Sequence, residues 1–314
     1  MVNGLVYRST GSWYDVKLES GEFVEARLVG KLRTKGIRTT NPIAVGDKVC
    51  LIVDNDNNAV IQSIVERKNY VIRKSVNLSK EAHVIAANVD LAILVVTIAY
   101  PVTSPGFIDR FTVTTQAYGI PLLIVFNKID LFIDKEIQLL QEFETAYEIA
   151  GYPTLRTSAQ NKIGVEELDR LIDGKTVLFS GNSGAGKSTL INALNSDFEL
   201  KTGELSSTHH TGKHTTTFAE MFDLTTTTKI IDTPGIKGFG LVDLEKEELS
   251  RYFPEMMTLL NECKFHNCRH INEPGCAVIA AVKNNEIGQS RYKSYLAMYN
   301  EDKDNNYRAN IFPK

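Results

Sequence analysis

Over its first 68 residues the chain sets apolar against polar positions in short runs, GLVYRS, WYDVKL, FVEARL, DKVCLIV and AVIQSIV, separated by Gly, Asn and Asp. Alternation with period two over five or six residues marks strands with one face in a core. About five such strands in so short a span predict a small barrel, and an OB-like β-barrel is the natural candidate. From about residue 84 the pattern changes. The apolar runs VDLAILVVTIA, PLLIVFNKID, TLRTSA and KTVLFSG read as strands, and PGFIDRFTVTTQAYG, QLLQEFETAYEIAG and VEELDRLID between them read as amphipathic helices. FAEMFDL and TKIIDTPG add two more strands. This alternation predicts a mostly parallel sheet covered by helices on both faces. After about residue 244 the pattern is helical around a cysteine cluster and ends in a polar tail, EDKDNNYRAN.

A chain of 314 residues exceeds one average domain, and 43% hydrophobic with 23% charged residues is ordinary for a soluble globular protein, so two or three domains are expected. The longest apolar run, Leu91 to Ala99, is strand-length and far short of the roughly 20 residues that span a bilayer. No membrane role is expected. The opening MVNGLVYRSTGSWYDV lacks a charged start followed by an apolar core, so a cytoplasmic location is expected. The net charge of −3 is uninformative, but Arg27 to Arg38, RLVGKLRTKGIR, holds five basic residues and no acid. Such a loop suits an RNA phosphate backbone, or is simply a solvated loop.

Chemistry concentrates in the middle segment. Gly181, Asn182, Ser183, Gly184, Ala185, Gly186, Lys187, Ser188 and Thr189 fit G-x-x-x-x-G-K-[ST], with an apolar strand before and a helix after. Glycines let backbone N–H groups curl around phosphates at the helix N-terminus. Lys187 is placed to reach the β and γ phosphates and the Ser188 hydroxyl to ligate Mg²⁺. Asn127, Lys128, Ile129 and Asp130 supply base selection: a carboxylate accepts both N1–H and the exocyclic amine of guanine, whereas adenine has no such donor pair. Thr157, Ser158 and Ala159 fit the companion loop that meets guanine O6 through a backbone N–H. Asp232-Thr-Pro-Gly235 fits the D-x-x-G element that holds Mg²⁺ through water and senses the γ phosphate. One of Thr215, Thr216 and Thr217 is expected to be the switch threonine on Mg²⁺.

Base-selecting motifs normally follow the phosphate loop, but here they precede it, so the GTPase order is circularly permuted. Ile236 stands where many GTPases carry a glutamine that orients water, which predicts slow hydrolysis by the protein alone. His214, on the switch loop, is the candidate replacement, against the plainer reading of a solvated histidine.

Cys263, Cys268, His270 and Cys276 lie within fourteen positions and offer three thiolates and an imidazole, a closed tetrahedral set for one structural Zn²⁺. His266 is the competing imidazole. Cys50 sits alone in a strand-like run and is expected in the barrel core.

With GNSGAGKSTLINAL, GKHTTT, DTPG and CKFHNCRHINEPGCAV in place, nearly the whole chain resembles the RsgA (YjeQ/YloQ) family. The resemblance implies an OB-like barrel over residues 1–68 that binds RNA, a permuted α/β P-loop GTPase domain over 69–243 and a zinc-binding helical domain over 244–314. It implies a GTP/GDP, Mg²⁺ and Zn²⁺ protein that works, as a monomer, on the small ribosomal subunit and its rRNA late in maturation, with hydrolysis stimulated by the ribosome. Lys213 replaces the arginine usual in the family's GRHTTT run.

Overall fold

The computed structural model describes residues 1–28, 42–54, 59–74, 82–195, 219–232 and 245–301. Five strands, β1 (Val2–Ser9), β2 (Trp13–Leu18), β3 (Phe23–Leu28), β4 (Lys48–Val53) and β5 (Ala59–Ile64), form the N-terminal barrel. They run in the order β1-β2-β3-β5-β4, and β4 pairs back onto β1, which closes the ring. Closure follows from the alternation: Val6, Val16, Val24, Ala26, Val49, Leu51, Ala59 and Ile61 point inward and fill the core. Cys50 departs from expectation. It takes the outward position between buried Val49 and Leu51, where its Sγ donates to Asn3 Oδ1, so it is not a core residue. In a strand of period two a neighbour of two core residues must face out.

A hairpin, β6 (Tyr70–Lys74) and β7 (Ala82–Ala87), follows the barrel. Its Val71 and Ala86 join the main core, so it packs against the next domain. There β8 (Leu91–Val96), α1 (Pro105–Ala117), β9 (Leu122–Phe126), α2 (Asp134–Ile149), β10 (Thr154–Arg156), α3 (Val165–Ile172), β11 (Thr176–Gly181), α4 (Lys187–Leu194), β12 (Glu220–Asp223) and β13 (Lys229–Asp232) succeed one another. The sheet order is β10-β9-β8-β11-β13-β12, parallel except for β12. Strands buried on both sides read as unbroken apolar runs, as ILVV and LLIVF do. Helices α1 and α2 cover one face and α3 and α4 the other.

Barrel and sheet are joined through β1 and β12. Arg8 pairs with Glu220 across the two strands, the Tyr7 hydroxyl donates to Asp223 Oδ1 at 2.6 Å, and Lys17 Nζ to Asp223 Oδ2 at 2.5 Å.

The C-terminal segment contains α5 (Pro254–Met257), α6 (Ala277–Lys283) and α7 (Gln289–Tyr299), with 3₁₀ turns at Lys246–Tyr252 and Leu260–Glu262. Its core of Leu249, Phe253, Met256, Val278, Tyr295 and Met298 includes Val113 from α1. Among the described residues no helix is long and apolar enough to cross a membrane.

Candidate guanine-nucleotide site and metal centre

Parallel strands end on the same edge of a sheet, and in such sheets ligands bind beyond the carboxyl ends of the strands. The phosphate loop follows β11, NKID follows β9 and the Thr157 loop follows β10, so three motifs far apart in sequence meet at one edge. Asp232 ends β13 and is in register with Phe179 of β11, beside the phosphate loop.

Two glycines of the phosphate loop have no substitute. Gly181 has φ of +144°, and a Cβ there would stand 2.3 Å from the Val95 carbonyl oxygen. Gly186 has φ of +91°, and its Cβ would stand 2.4 Å from Asn127 Nδ2. Only glycine takes that backbone while letting β8 and Asn127 approach so closely. The loop then turns into α4, whose first residue is Lys187. Lys187 Nζ donates to the carbonyls of Gly181, at 2.7 Å, and Asn182, at 2.9 Å. Burial lowers its pKa and the Asp232 carboxylate opposes that shift. Ala185 is buried, Gly181, Asn182, Gly186 and Ser188 are half-buried, and Ser183, Gly184 and Thr189 are exposed.

Asn127 ties the edge together. It is almost fully buried; its Nδ2 donates to the Ala185 carbonyl at 3.0 Å, and its Oδ1 accepts from Thr157 Oγ1 at 3.0 Å and from the Ala159 N–H at 3.3 Å. One amide thus fixes the phosphate loop against the loop after β10. Lys128 has left-handed backbone, φ +64°, and its Nζ donates to the Tyr100 carbonyl at 2.7 Å. Ile129 is half-buried and its N–H donates to the Thr157 carbonyl, whereas Asp130 is exposed on a short 3₁₀ turn. Ser158 is buried, with its Oγ accepting from the Asn161 N–H. Thr157, fully buried, is in addition a structural link, a role that its place in the motif does not reveal: its hydroxyl supports Asn127 while its N–H donates to the Phe126 carbonyl. His214, Thr215, Thr216, Thr217, Gly235 and Ile236, and most of the basic run from Arg27 to Arg38, lie outside the described residues.

The second centre is the cysteine cluster. The ligand atoms of Cys263, Cys268, His270 and Cys276 all lie within 4.8 Å of one another. His270 Nδ1 is 3.3 Å from Cys276 Sγ and 3.6 Å from Cys263 Sγ, and the two sulfurs are 4.0 Å apart. A tetrahedral zinc with Zn–S bonds of about 2.3 Å separates its sulfurs by about 3.8 Å, so the donor set fits zinc in both chemistry and spacing. His270, not His266, enters the cluster, and the exposed His266 remains outside it. His270 has φ of +56° and is buried at 1% exposure. Tyrosines of α7 hold this loop: Tyr292 OH donates to the His270 carbonyl at 2.7 Å and Tyr295 OH to the Arg269 carbonyl at 2.6 Å. Cys276 also caps α6, its Sγ accepting from the Ile279 N–H.

Comparison with known proteins finds similarity along nearly the whole chain. The family model for the RsgA GTPase matches residues 64–242, and that for the RsgA N-terminal domain matches residues 3–61. The small ribosomal subunit biogenesis GTPase RsgA of Flavobacterium johnsoniae is 51% identical over 314 residues, covering 99% of this chain and 96% of the relative. RsgA 2 of Bacteroides thetaiotaomicron, which has the same description, is 49% identical over 308 residues, covering 98% and 99%. The crystal structure of YjeQ from Thermotoga maritima superposes with a TM-score of 0.76 at 34% identity, covering 95% of this chain and 97% of that one. YloQ, described as a circularly permuted GTPase, superposes at 0.73 with 28% identity, covering 95% and 94%. With the NKID and Thr157 loops before the phosphate loop, a five-stranded barrel ahead of them, a Cys₃His cluster behind, and these matches over nearly its full length, the chain belongs to the RsgA family of circularly permuted GTPases.

Proposed function

We propose that this chain hydrolyses GTP to GDP and phosphate in late maturation of the small ribosomal subunit, slowly alone and faster on the ribosome. The observation that carries the nucleotide reading is Asn127, which bonds the phosphate loop at Ala185 and the companion loop at Ala159. That link sets the distance between a phosphate cradle and a base pocket, as a single guanine nucleotide requires. In this reading Asp130 accepts from the guanine edge, the Lys128 stem lies along the base, and Ser158 and Ala159 face its O6. Residues Gly181 to Thr189 wrap the phosphates, with Lys187 as the charge on the β and γ groups. Ser188 and one of Thr215 to Thr217 ligate Mg²⁺, Asp232 holds it through water, and Gly235 senses the γ phosphate. Zinc at Cys263, Cys268, His270 and Cys276 is structural, since four protein ligands leave no open position.

The ribosomal part rests on relatives whose names place them in small-subunit biogenesis. Residues 1–68 and 244–314 then flank a 69–243 GTPase core as RNA-contact modules, the first with its basic loop, in a cytoplasmic monomer. Purified protein is expected to turn over GTP slowly, and small ribosomal subunits to stimulate it strongly. In His214→Ala the stimulated rate falls by roughly 10²-fold while GTP binding persists, the scale of a lost general base or water-positioning group. Turnover that stays negligible with subunits present identifies a GTP-gated RNA-binding switch instead. Stimulation by a protein partner alone favours a signalling GTPase.

A further inference from the structure

Between β8 and α1 the chain makes a tight loop, Thr97 to Thr103, that none of the nucleotide motifs includes. Both ends are buried threonines, Thr97 at 0% and Thr103 at 1% exposure, in a position where polar side chains need partners. Those partners are the loop itself. The Thr97 N–H donates to Thr103 Oγ1 at 3.2 Å, the Thr103 N–H donates to the Thr97 carbonyl at 2.9 Å, and the Thr97 hydroxyl donates to the Pro101 carbonyl. Three hydrogen bonds thus cinch seven residues into one shape.

That shape points at the nucleotide site. Tyr100, at the tip, has left-handed backbone with φ of +58°. Its carbonyl accepts from Lys128 Nζ at 2.7 Å. Next to it, Pro101 Cδ lies 3.5 Å from where a Cβ on Gly184 would stand, so the same loop also backs the phosphate loop. A lysine head is a point charge on a flexible stem, and it holds a defined place only where a fixed acceptor holds it. Thr97 and Asn127, the residues after β8 and β9, leave the sheet side by side, since the Asn127 N–H donates to the Val96 carbonyl at 2.8 Å. Loop and lysine therefore start from adjacent points of the sheet and meet again at the Tyr100 carbonyl.

We infer that Thr97 and Thr103 are positioning residues for guanine-nucleotide binding, whose clamp fixes the Tyr100 carbonyl and so holds Lys128 along the base. The inference rests on the guanine-site reading above. A threonine-to-valine change keeps shape and removes the hydroxyl, so it takes one of the three bonds out of the clamp without leaving a void.

The test is a double-mutant cycle on GDP affinity, read with a fluorescent GDP analogue and accompanied by thermal melting of each variant. Thr103→Val is expected to weaken GDP about tenfold, the scale of one hydrogen bond to a charged group, and to speed GDP release. Thr103→Ser, which keeps the hydroxyl, binds as wild type does. In a Lys128→Ala background Thr103→Val changes affinity by no more than roughly twofold, because the group it positions is gone. For turnover, KM for GTP rises in Thr103→Val while kcat stays unchanged. Should Thr103→Val not fold, Thr97→Val serves in the same cycle, since it leaves the Thr97 amide bonded to Thr103. Unchanged affinity in Thr103→Val, or an equal loss with and without Lys128, overturns the inference. Failure of the wild type to bind GDP sinks the guanine-site reading itself, and this inference with it.

Discussion

Arg291→Ala is expected to destabilise the packing of the C-terminal segment on the GTPase domain by about 3–5 kcal/mol, the usual result of removing one partner of a buried ion pair. Arg291 is fully buried on α7 yet remains charged. Burial works against its charge, but Asp109 and Glu255 outweigh it and raise its pKa. The guanidinium makes a two-pronged bond to Glu255, Nε to Oε1 at 2.7 Å and Nη2 to Oε2 at 3.0 Å. Its Nη1 reaches α1 at Asp109 Oδ1, 2.8 Å away, and Thr112 Oγ1, 2.9 Å away. Tyr147 of α2 donates to the same Asp109 oxygen at 2.9 Å, and the Phe253 ring lies 4.8 Å from the guanidinium carbon. One side chain therefore ties α7 and α5 to α1 and α2. Its loss leaves two carboxylates in an apolar seam, Asp109 already having one oxygen, Oδ2, without a partner. Thermal or denaturant unfolding of Arg291→Ala should start with the C-terminal elements, at much milder conditions than in wild type. Because the penalty comes from unpaired charge, the triple replacement Arg291→Met, Asp109→Leu, Glu255→Met should recover most of the loss. A single variant as stable as wild type would show that the seam is held by its apolar contacts alone.

Removal of zinc is expected to unfold the C-terminal segment around the cysteine loop, since among the described residues this segment has only short helices and one small core. Apparent binding energies of structural zinc are on the order of 10 kcal/mol in small domains, more than such a core supplies. One zinc per chain is therefore expected by metal analysis. Chelation should lower the melting temperature and cost helical signal from α6 and α7. Cys276 lets metal loss and cap loss be separated. Cys276→Ser keeps an oxygen to cap α6 at the Ile279 N–H but gives up a thiolate ligand, whereas Cys276→Ala loses both. Serine should thus be as poor as alanine in metal content and better by about 1 kcal/mol in stability. Full zinc retention in Cys276→Ser would remove Cys276 from the ligand set.

The sequence pattern anticipates most of this molecule where one physical rule acts locally. Alternation in WYDVKL and FVEARL gives the barrel strands, and the unbroken runs ILVV and LLIVF give strands buried on both faces. The motifs are legible because phosphate and guanine chemistry demand fixed residue types at fixed short spacings. What spacing leaves out is contact at long range. Arg291 sits in QSRYKSYLAMY, which reads as an ordinary polar helix, yet its partner Asp109 is 182 residues away. The hairpin β6–β7 is missed because YVIRK and AHVIAA lack a short turn between them, and the second merges into the apolar run of β8. Cys50 is misjudged because composition alone does not say which of two alternating positions faces in. Thr97 and Thr103 look like polar punctuation after a strand and become meaningful only when their mutual hydrogen bonds and the nearby Lys128 are seen together.

Loops from both sides of the permuted junction are expected to make one guanine site, and comparing GDP, ADP and XDP affinities in wild type and Asp130→Asn tests this most directly. Wild type should prefer GDP to ADP by on the order of 10³-fold, because adenine strands the Asp130 carboxylate without its two donors. Asp130→Asn should weaken GDP and gain XDP, whose 2-oxo group accepts from the new amide. Equal affinity of wild type for GDP and ADP, or an Asp130→Asn variant that still prefers GDP, would contradict the account.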